Sequence, residues 1–245
     1  MEKIEKTGPS STYKIGVLPN WDLSDLYPGP KSKELESDLA KLRVNAESFE
    51  KKHQTNVAKM SGTILARCIT EYEKIDETIG RIMSYAQLIY ASDMSNPENG
   101  QFYQSMQEAV TEISSKLLFF TLEINRIDDA EFDQKLKTPE LSHFAPWIRD
   151  VRVFRPHQLS DDLEKMLLEK SVTGRSAWIR LFDETMADLR FEIDDQELTI
   201  AEILDLLSHK DGDKRKTAAL TLGAKLNGNI KLYSLITNSL AKDKE

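Results

Sequence analysis

Four histidines, one cysteine and many carboxylates are the side chains from which this chain could build a catalytic or metal site. The histidines are His53, His143, His157 and His209. No two stand four residues apart and none is followed by Glu, so the helical HExxH zinc arrangement is absent. Cys68 is alone, which excludes a thiolate cage and an internal disulfide and fits a reducing compartment. His157, in "RPHQLSDD", lies near Asp161, Asp162 and Glu164 and is the one candidate ligand. A histidine at a helix entry is more often solvent-exposed or bonded to backbone. Glu184 and Asp188, one helical turn apart, could do acid–base or metal chemistry, but like charges at that spacing usually mark a solvated face. The ten glycines form neither GxGxxG nor GxxxxGK, and no serine sits in GxSxG. Residue by residue, the reading is therefore no catalytic residue, no metal ligand and no cofactor in this chain, with substrate-binding residues unassigned.

Charge narrows the partners. Lys plus Arg is 33 against 41 for Asp plus Glu, a formal net charge of −8. Nucleic-acid binders need concentrated positive charge, so that class is set aside. The first twenty residues contain no apolar run of signal-peptide type, and "LLFF" at 117–120 is far too short to cross a bilayer. A cytoplasmic protein without a membrane partner is expected.

The elements that would hold these side chains are helices, and the fold class expected is all-α. Residues 1–31 are rich in turn formers and read as an irregular lead-in. From a Ser32 cap, Leu35, Leu39, Leu42, Ala46 and Phe49 form one apolar stripe. Cys68, Tyr72, Ile75, Ile79, Ile82, Ala86 and Ile89 form the next, and Phe102, Met106, Ala109, Ile113, Leu117, Phe120 and Ile124 a third. Asn96-Pro97 starts that third helix. Three such stripes with short polar connections predict an antiparallel long-helix bundle over 32–126.

Shorter helices should follow over 127–189, started by an Asp128/Glu131 capping box, Thr138-Pro139, Ala145-Pro146, Ser160 and Gly174. In "LRFEIDDQELT" the period changes to two, which predicts one small β-hairpin near 190–198 turning at Asp194-Asp195. Thr199 with Glu202 opens another helix, "HKDGDKR" reads as a loop, and two more helices run from about 213 to the end of 190–245.

Four stretches carry a resemblance: "WDLSDLYPGP" at 21–30, "LLFFTLEINRIDD" at 117–129, "PWIRDVRVFRPHQLSDDLEKMLLEKSVTGRSAWIRLFDETMADLRF" at 146–191 and "LYSLITNSLAKDKE" at 232–245. Together they resemble the N-terminal, non-catalytic portion of the oligoendopeptidase F family of zinc metallopeptidases, relatives of thimet oligopeptidase. The resemblance implies an all-helical peptidase that cleaves short peptides in a deep channel. Its zinc would be held by two histidines of an HExxH helix and a distant Glu, in a catalytic region of which 190–245 is the beginning. None of those ligands occurs here, so zinc is expected only in a full-length enzyme. This portion would supply one wall of the channel.

The last seventeen residues, "NIKLYSLITNSLAKDKE", place Ile230, Tyr233, Ile236 and Leu240 along one side, with Leu232 and Leu235 widening the apolar arc. With no terminating Gly, Asn or Pro after them, they read as a helix truncated before the zinc motif, either in a shortened polypeptide or in a split peptidase gene. Self-association through this helix, or pairing with a separate catalytic half, is then expected. The alternative is a stand-alone helical interaction module with no link to peptide hydrolysis.

Overall fold

A computed structural model describes residues 21–244; the expected lead-in therefore falls outside the described residues up to position 20. The architecture is mainly helical, with one two-stranded antiparallel sheet among the described residues. Three long helices come first: α1 (Lys33–His53), α2 (Gly62–Ser92) and α3 (Pro97–Arg126). The caps are those the sequence indicates. Ser32 accepts from the Leu35 amide and Asn96 from the Glu98 amide, with Pro97 in the first turn. Each cap of this kind is worth about 1 kcal/mol.

Pairings between side chains fix the directions. Phe49 meets Tyr72 and His53 meets Glu71, while Tyr72 meets Phe120 and Tyr85 meets Phe102, so α2 runs against both neighbours. Arg43 pairs with Glu112 and Lys116 with Glu47, which sets α1 and α3 parallel: the bundle runs up, down, up. Phe49 is fully buried between the three helices, 5.2 Å from the Phe120 ring in an edge-on contact. Most stripe residues are buried, among them Leu35, Leu42, Ala46, Phe49, Cys68, Ile75, Ile82, Ile113 and Phe120. Leu39, Tyr72, Ile79, Ile89, Phe102 and Met106 are only partly covered. Leu65, Ile69, Tyr85 and Phe119 lie outside the stripes and are buried too. Each helix touches two others, so its apolar arc is wider than a two-helix seam.

The start of α2 is a close fit. A Cβ added at Gly62 would stand 2.2 Å from Thr138 Oγ1 and 2.6 Å from the Lys135 carbonyl oxygen, whereas at Gly80 it would meet nothing within 4 Å. Both glycines are helical, so alanine should help at the open position and harm at the tight one. Gly80→Ala should stabilise by about 0.5–1 kcal/mol. Gly62→Ala should destabilise by about 1–3 kcal/mol, because backbone rather than a flexible tip must move. Thermal melts of the two variants should shift in opposite directions; a shared direction would mean that α2 does not seat against the segment around Thr138.

Beyond α3 the elements shorten: α4 (Asp129–Leu136), α5 (Pro139–Ser142), α6 (Ala145–Arg152), a 3-10 turn at Arg155–His157, α7 (Asp161–Lys170) and α8 (Arg175–Ala187). Asp128 caps α4 through the Ala130 and Glu131 amides. The expected capping box is half formed, since Glu131 reaches forward to Lys135 at 2.9 Å. Ser160 stands at the N-cap of α7 without a side-chain bond; Glu164 accepts from the Leu159 amide instead. Arg152 ties this region to α3. Its guanidinium donates to the Ile124 and Ile127 carbonyl oxygens at 2.7 and 2.8 Å and to Asp129, and it lies 4.7 Å over the Phe132 ring.

The hairpin forms where the sequence places it. Strand β1 (Phe191–Ile193) pairs with β2 (Gln196–Leu198) so that Phe191 faces Leu198. Asp194 and Asp195 both have positive φ, 49° and 61°, as a type I′ turn requires. Thr199 and Glu202 complete their reciprocal capping box ahead of α9 (Ile200–Leu206). The helix expected to start at about 213, within "HKDGDKR", starts one residue earlier. Asp211 accepts from the Asp213 amide, so α10 (Gly212–Gly228) begins within that segment. Last comes α11 (Ile230–Lys244), packed against α8. A small second core of Leu189, Phe191, Ile203 and Ala218 holds this region. No helix among the described residues is long and apolar enough to cross a membrane.

Candidate functional site

The four histidines do not converge. His143 lies edge-on against Phe144, and His209 Nδ1 accepts the Asp211 amide in a turn. His157 is exposed at the end of the 3-10 turn, on the rim of a cavity that Glu164 also borders. His53 is the buried one, and sequence reasoning passed over it. Its Nε2 stands 3.1 Å from Glu71 Oε2, which also accepts Lys52 Nζ at 2.7 Å, and its ring lies against Phe49. The signal was legible: His53 follows Phe49 by four residues and so continues the stripe of α1.

Burial pushes the Glu71 carboxyl up, but the bonds from Lys52 and His53 outweigh it and hold the group below its ordinary value. Cys68 is close by, its thiol pushed up to about 12 by burial first and by Glu71 second. That keeps the sulfur protonated and unreactive. Glu123, from α3, accepts the Thr55 and Val57 amides at 2.6 and 3.2 Å and pins the turn between α1 and α2, where Thr55 has a φ of 67°. The cluster thus fastens three helix ends to one another. Among the described residues no group of three or more His, Cys, Asp or Glu is placed to hold a metal ion.

Glu184 and Asp188 also stay apart. Asp188 is exposed, while Glu184 is partly covered and sits 3.4 Å from Arg180, whose guanidinium donates to Gln104 of α3. The expected solvated face holds for Asp188 only. Glu184 belongs to a seam where α8 meets Tyr90 and Tyr103, two rings stacked 5.0 Å apart. Burial drives the Tyr90 hydroxyl up to about 12, with Glu184 and Asp183 adding to it, and burial also raises the Asp183 carboxyl.

The feature that stands out is apolar. Val153, Phe154, Leu159, Leu163, Met166 and Leu167 are all exposed, Phe154 to 68%. Neither α7 nor α8 has a fully buried residue. A run of this length facing outward is the usual mark of a contact surface. Periodicity revealed these residues as apolar but gave no sign that nothing in residues 21–244 would cover them.

Comparison with known proteins bears on the same region. Residues 123–191 match the family model described as Oligopeptidase F. Over 232 residues the chain is 24% identical to an oligoendopeptidase F homolog of Borreliella burgdorferi, a match that takes in 94% of this chain and 38% of that protein. It is 25% identical over 215 residues to oligopeptidase PepF of Bacillus subtilis, covering 81% of this chain and 30% of that one. The fold is similar to that of a candidate peptidase from Chlamydophila abortus seen in a crystal structure. The TM-score there is 0.50 at 16% identity, over 89% of this chain and 38% of the other. The chain spans about 38% or less of the length of the curated relatives it matches.

Proposed function

From its similarity to the N-terminal portion of the oligoendopeptidase F family, we propose that this chain forms a non-catalytic wall of a peptide-hydrolysing channel. One observation carries the reading: the match takes in 94% of this chain yet only 38% of the Borreliella protein. The 232 matched residues of this chain contain no HExxH. Zinc and the water it activates would belong to the portion of such an enzyme that the match does not cover, with the wall admitting short flexible peptides and refusing folded ones. The bundle of 32–126, the helices of 127–189 and the hairpin-led segment of 190–245 would act as its three parts, in the cytoplasm.

The exposed run from Val153 to Leu167 and the half-exposed Ile230 and Leu235 of α11 supply apolar surface on which such a half could pack. Without it the same surfaces would favour self-association, since each uncovered Leu or Ile forgoes about 1.5–3 kcal/mol of burial. The test is a chimera in which this chain replaces the matching portion of the Bacillus subtilis relative. It should cleave a fluorogenic short peptide and leave an unstructured protein of some hundred residues largely uncut. If the catalytic portion alone shows the intact relative's activity and size selectivity, the wall has no role and the proposal fails.

A further inference from the structure

Trp21 is more exposed than any other large apolar side chain among the described residues, at 87%. It lines a groove of about 660 Å³ between the turn of residues 21–28 and the last two turns of α2. Tyr85, Leu88, Ile89 and Ser92 form the helical wall, at a spacing that keeps side chains on one face. Tyr85 is buried against Tyr27, edge to face with ring centres 5.4 Å apart, whereas Leu88 is 38% exposed. The groove is thus apolar at its helical wall and open above Leu88 and Trp21. Its charge leans one way. Asp22 lines it, and the last turn of α2 carries no basic residue to face the helix's terminal carbonyls. Such an end attracts a cation.

Continuity of the chain narrows the occupant. Because Trp21 itself lines the groove, the residues before it start from the groove's edge. In "TYKIGVLPN" at 12–20, Tyr13, Ile15 and Val17 alternate with Thr12, Lys14 and Gly16. In an extended chain those three apolar side chains share one side. Lys14 is the one charged residue between positions 7 and 20. Reach is sufficient, since seven extended residues span about 23 Å, while the helical wall from Tyr85 to Ser92 rises by about 10 Å. A tethered segment also meets the groove at a high effective concentration, so a few apolar contacts suffice.

We propose that residues 13–18 of this same chain cover the groove, with Ile15 and Val17 against Leu88 and Trp21 and Lys14 toward the carbonyl end of α2. The segment then acts as a strap that joins the start of the chain to the long-helix bundle. This contact is separate from the peptidase reading and stands without it.

Methyl NMR and thermal melts of the full chain test it. Nuclear Overhauser contacts should connect the Ile15 or Val17 methyls with those of Leu88. Leu88→Lys, a change at a half-open position, should lower the melting temperature by about 2–6 °C, and Ile15→Ser with Val17→Ser should do the same. All three substitutions together should cost no more than the larger of the two effects, because both remove one contact. A sample mixing two differently labelled copies identifies the source of the methyl contacts. Contacts within one copy agree with the strap; contacts between copies overturn it and make the groove a dimer surface. Absent methyl contacts, additive losses, or unchanged melting in the Ile15→Ser, Val17→Ser variant would also overturn it, leaving the groove to another occupant.

Discussion

Ile113→Asp should leave the chain unfolded at room temperature, whereas Ile79→Asp should only lower its melting temperature. Both residues lie on the stripes that build the three-helix core, but their burial differs. Ile113 has no exposed surface, in the middle of α3, whereas Ile79 is partly covered and packs against the core from its edge. A carboxylate at 113 would lose about 1.5–3 kcal/mol of apolar burial and incur a desolvation penalty of several more. Together these rival the roughly 5–15 kcal/mol that holds an ordinary domain. An aspartate at 79 can turn its carboxylate toward water and avoids most of that penalty. Circular dichroism should show lost helicity for the first variant and a cooperative but earlier melt for the second. A folded Ile113→Asp with near-normal melting would mean that the centre of α3 is not the core.

Arg152→Ala is the second change expected to be large, at about 3 kcal/mol, or on the order of 10 °C in melting temperature for a chain of this size. The guanidinium bridges two carbonyl oxygens at the end of a 30-residue helix, where unpaired carbonyls and the helix dipole both favour a cation. It also covers Phe132. Asp129 contributes less, because its side chain is 80% exposed and an exposed ion pair is worth little. Arg152→Lys should recover less than half of the loss, since one ammonium cannot span both carbonyls and the ring. Asp129→Asn should be nearly silent. If Asp129→Asn costs as much as Arg152→Ala, the ion pair and not the carbonyl bridge is what holds α6 to α3.

Local signals were the legible ones. Ser32, Asn96, Thr199 with Glu202, and the Asp194-Asp195 turn each act within four residues, and each appears where its residue type demands. The stripes of α1, α2 and α3 were equally readable because a long helix repeats its instruction many times. Contacts made by the path of the chain were not. His53 meets Glu71 across a loop, and Arg152 reaches carbonyls 25 and 28 positions away; nothing local to either residue announces its partner. The apolar arc of α11 is an intermediate case. Its sequence indicated an arc too wide for one neighbour to cover, and Ile236 alone is fully covered while Ile230 and Leu235 stand half open; which side α8 would take was not readable. At the candidate site, the absence of HExxH was plain from the letters, while the outward-facing run from Val153 to Leu167 needed the fold to be seen.

The two apolar cores are of very different size. Around α1, α2 and α3 a single cluster extends from Tyr27 to Ile148, while the hairpin, α9 and α10 share one of four buried side chains. Protection against amide hydrogen exchange should follow that division. The backbone of the long helices is released only when the whole bundle opens, whereas the segment from Leu189 onward can open and close by itself at a much smaller cost. Residues 21–244 thus form two cooperative units of unequal strength in series, and of the two a protease would cut the weaker one first.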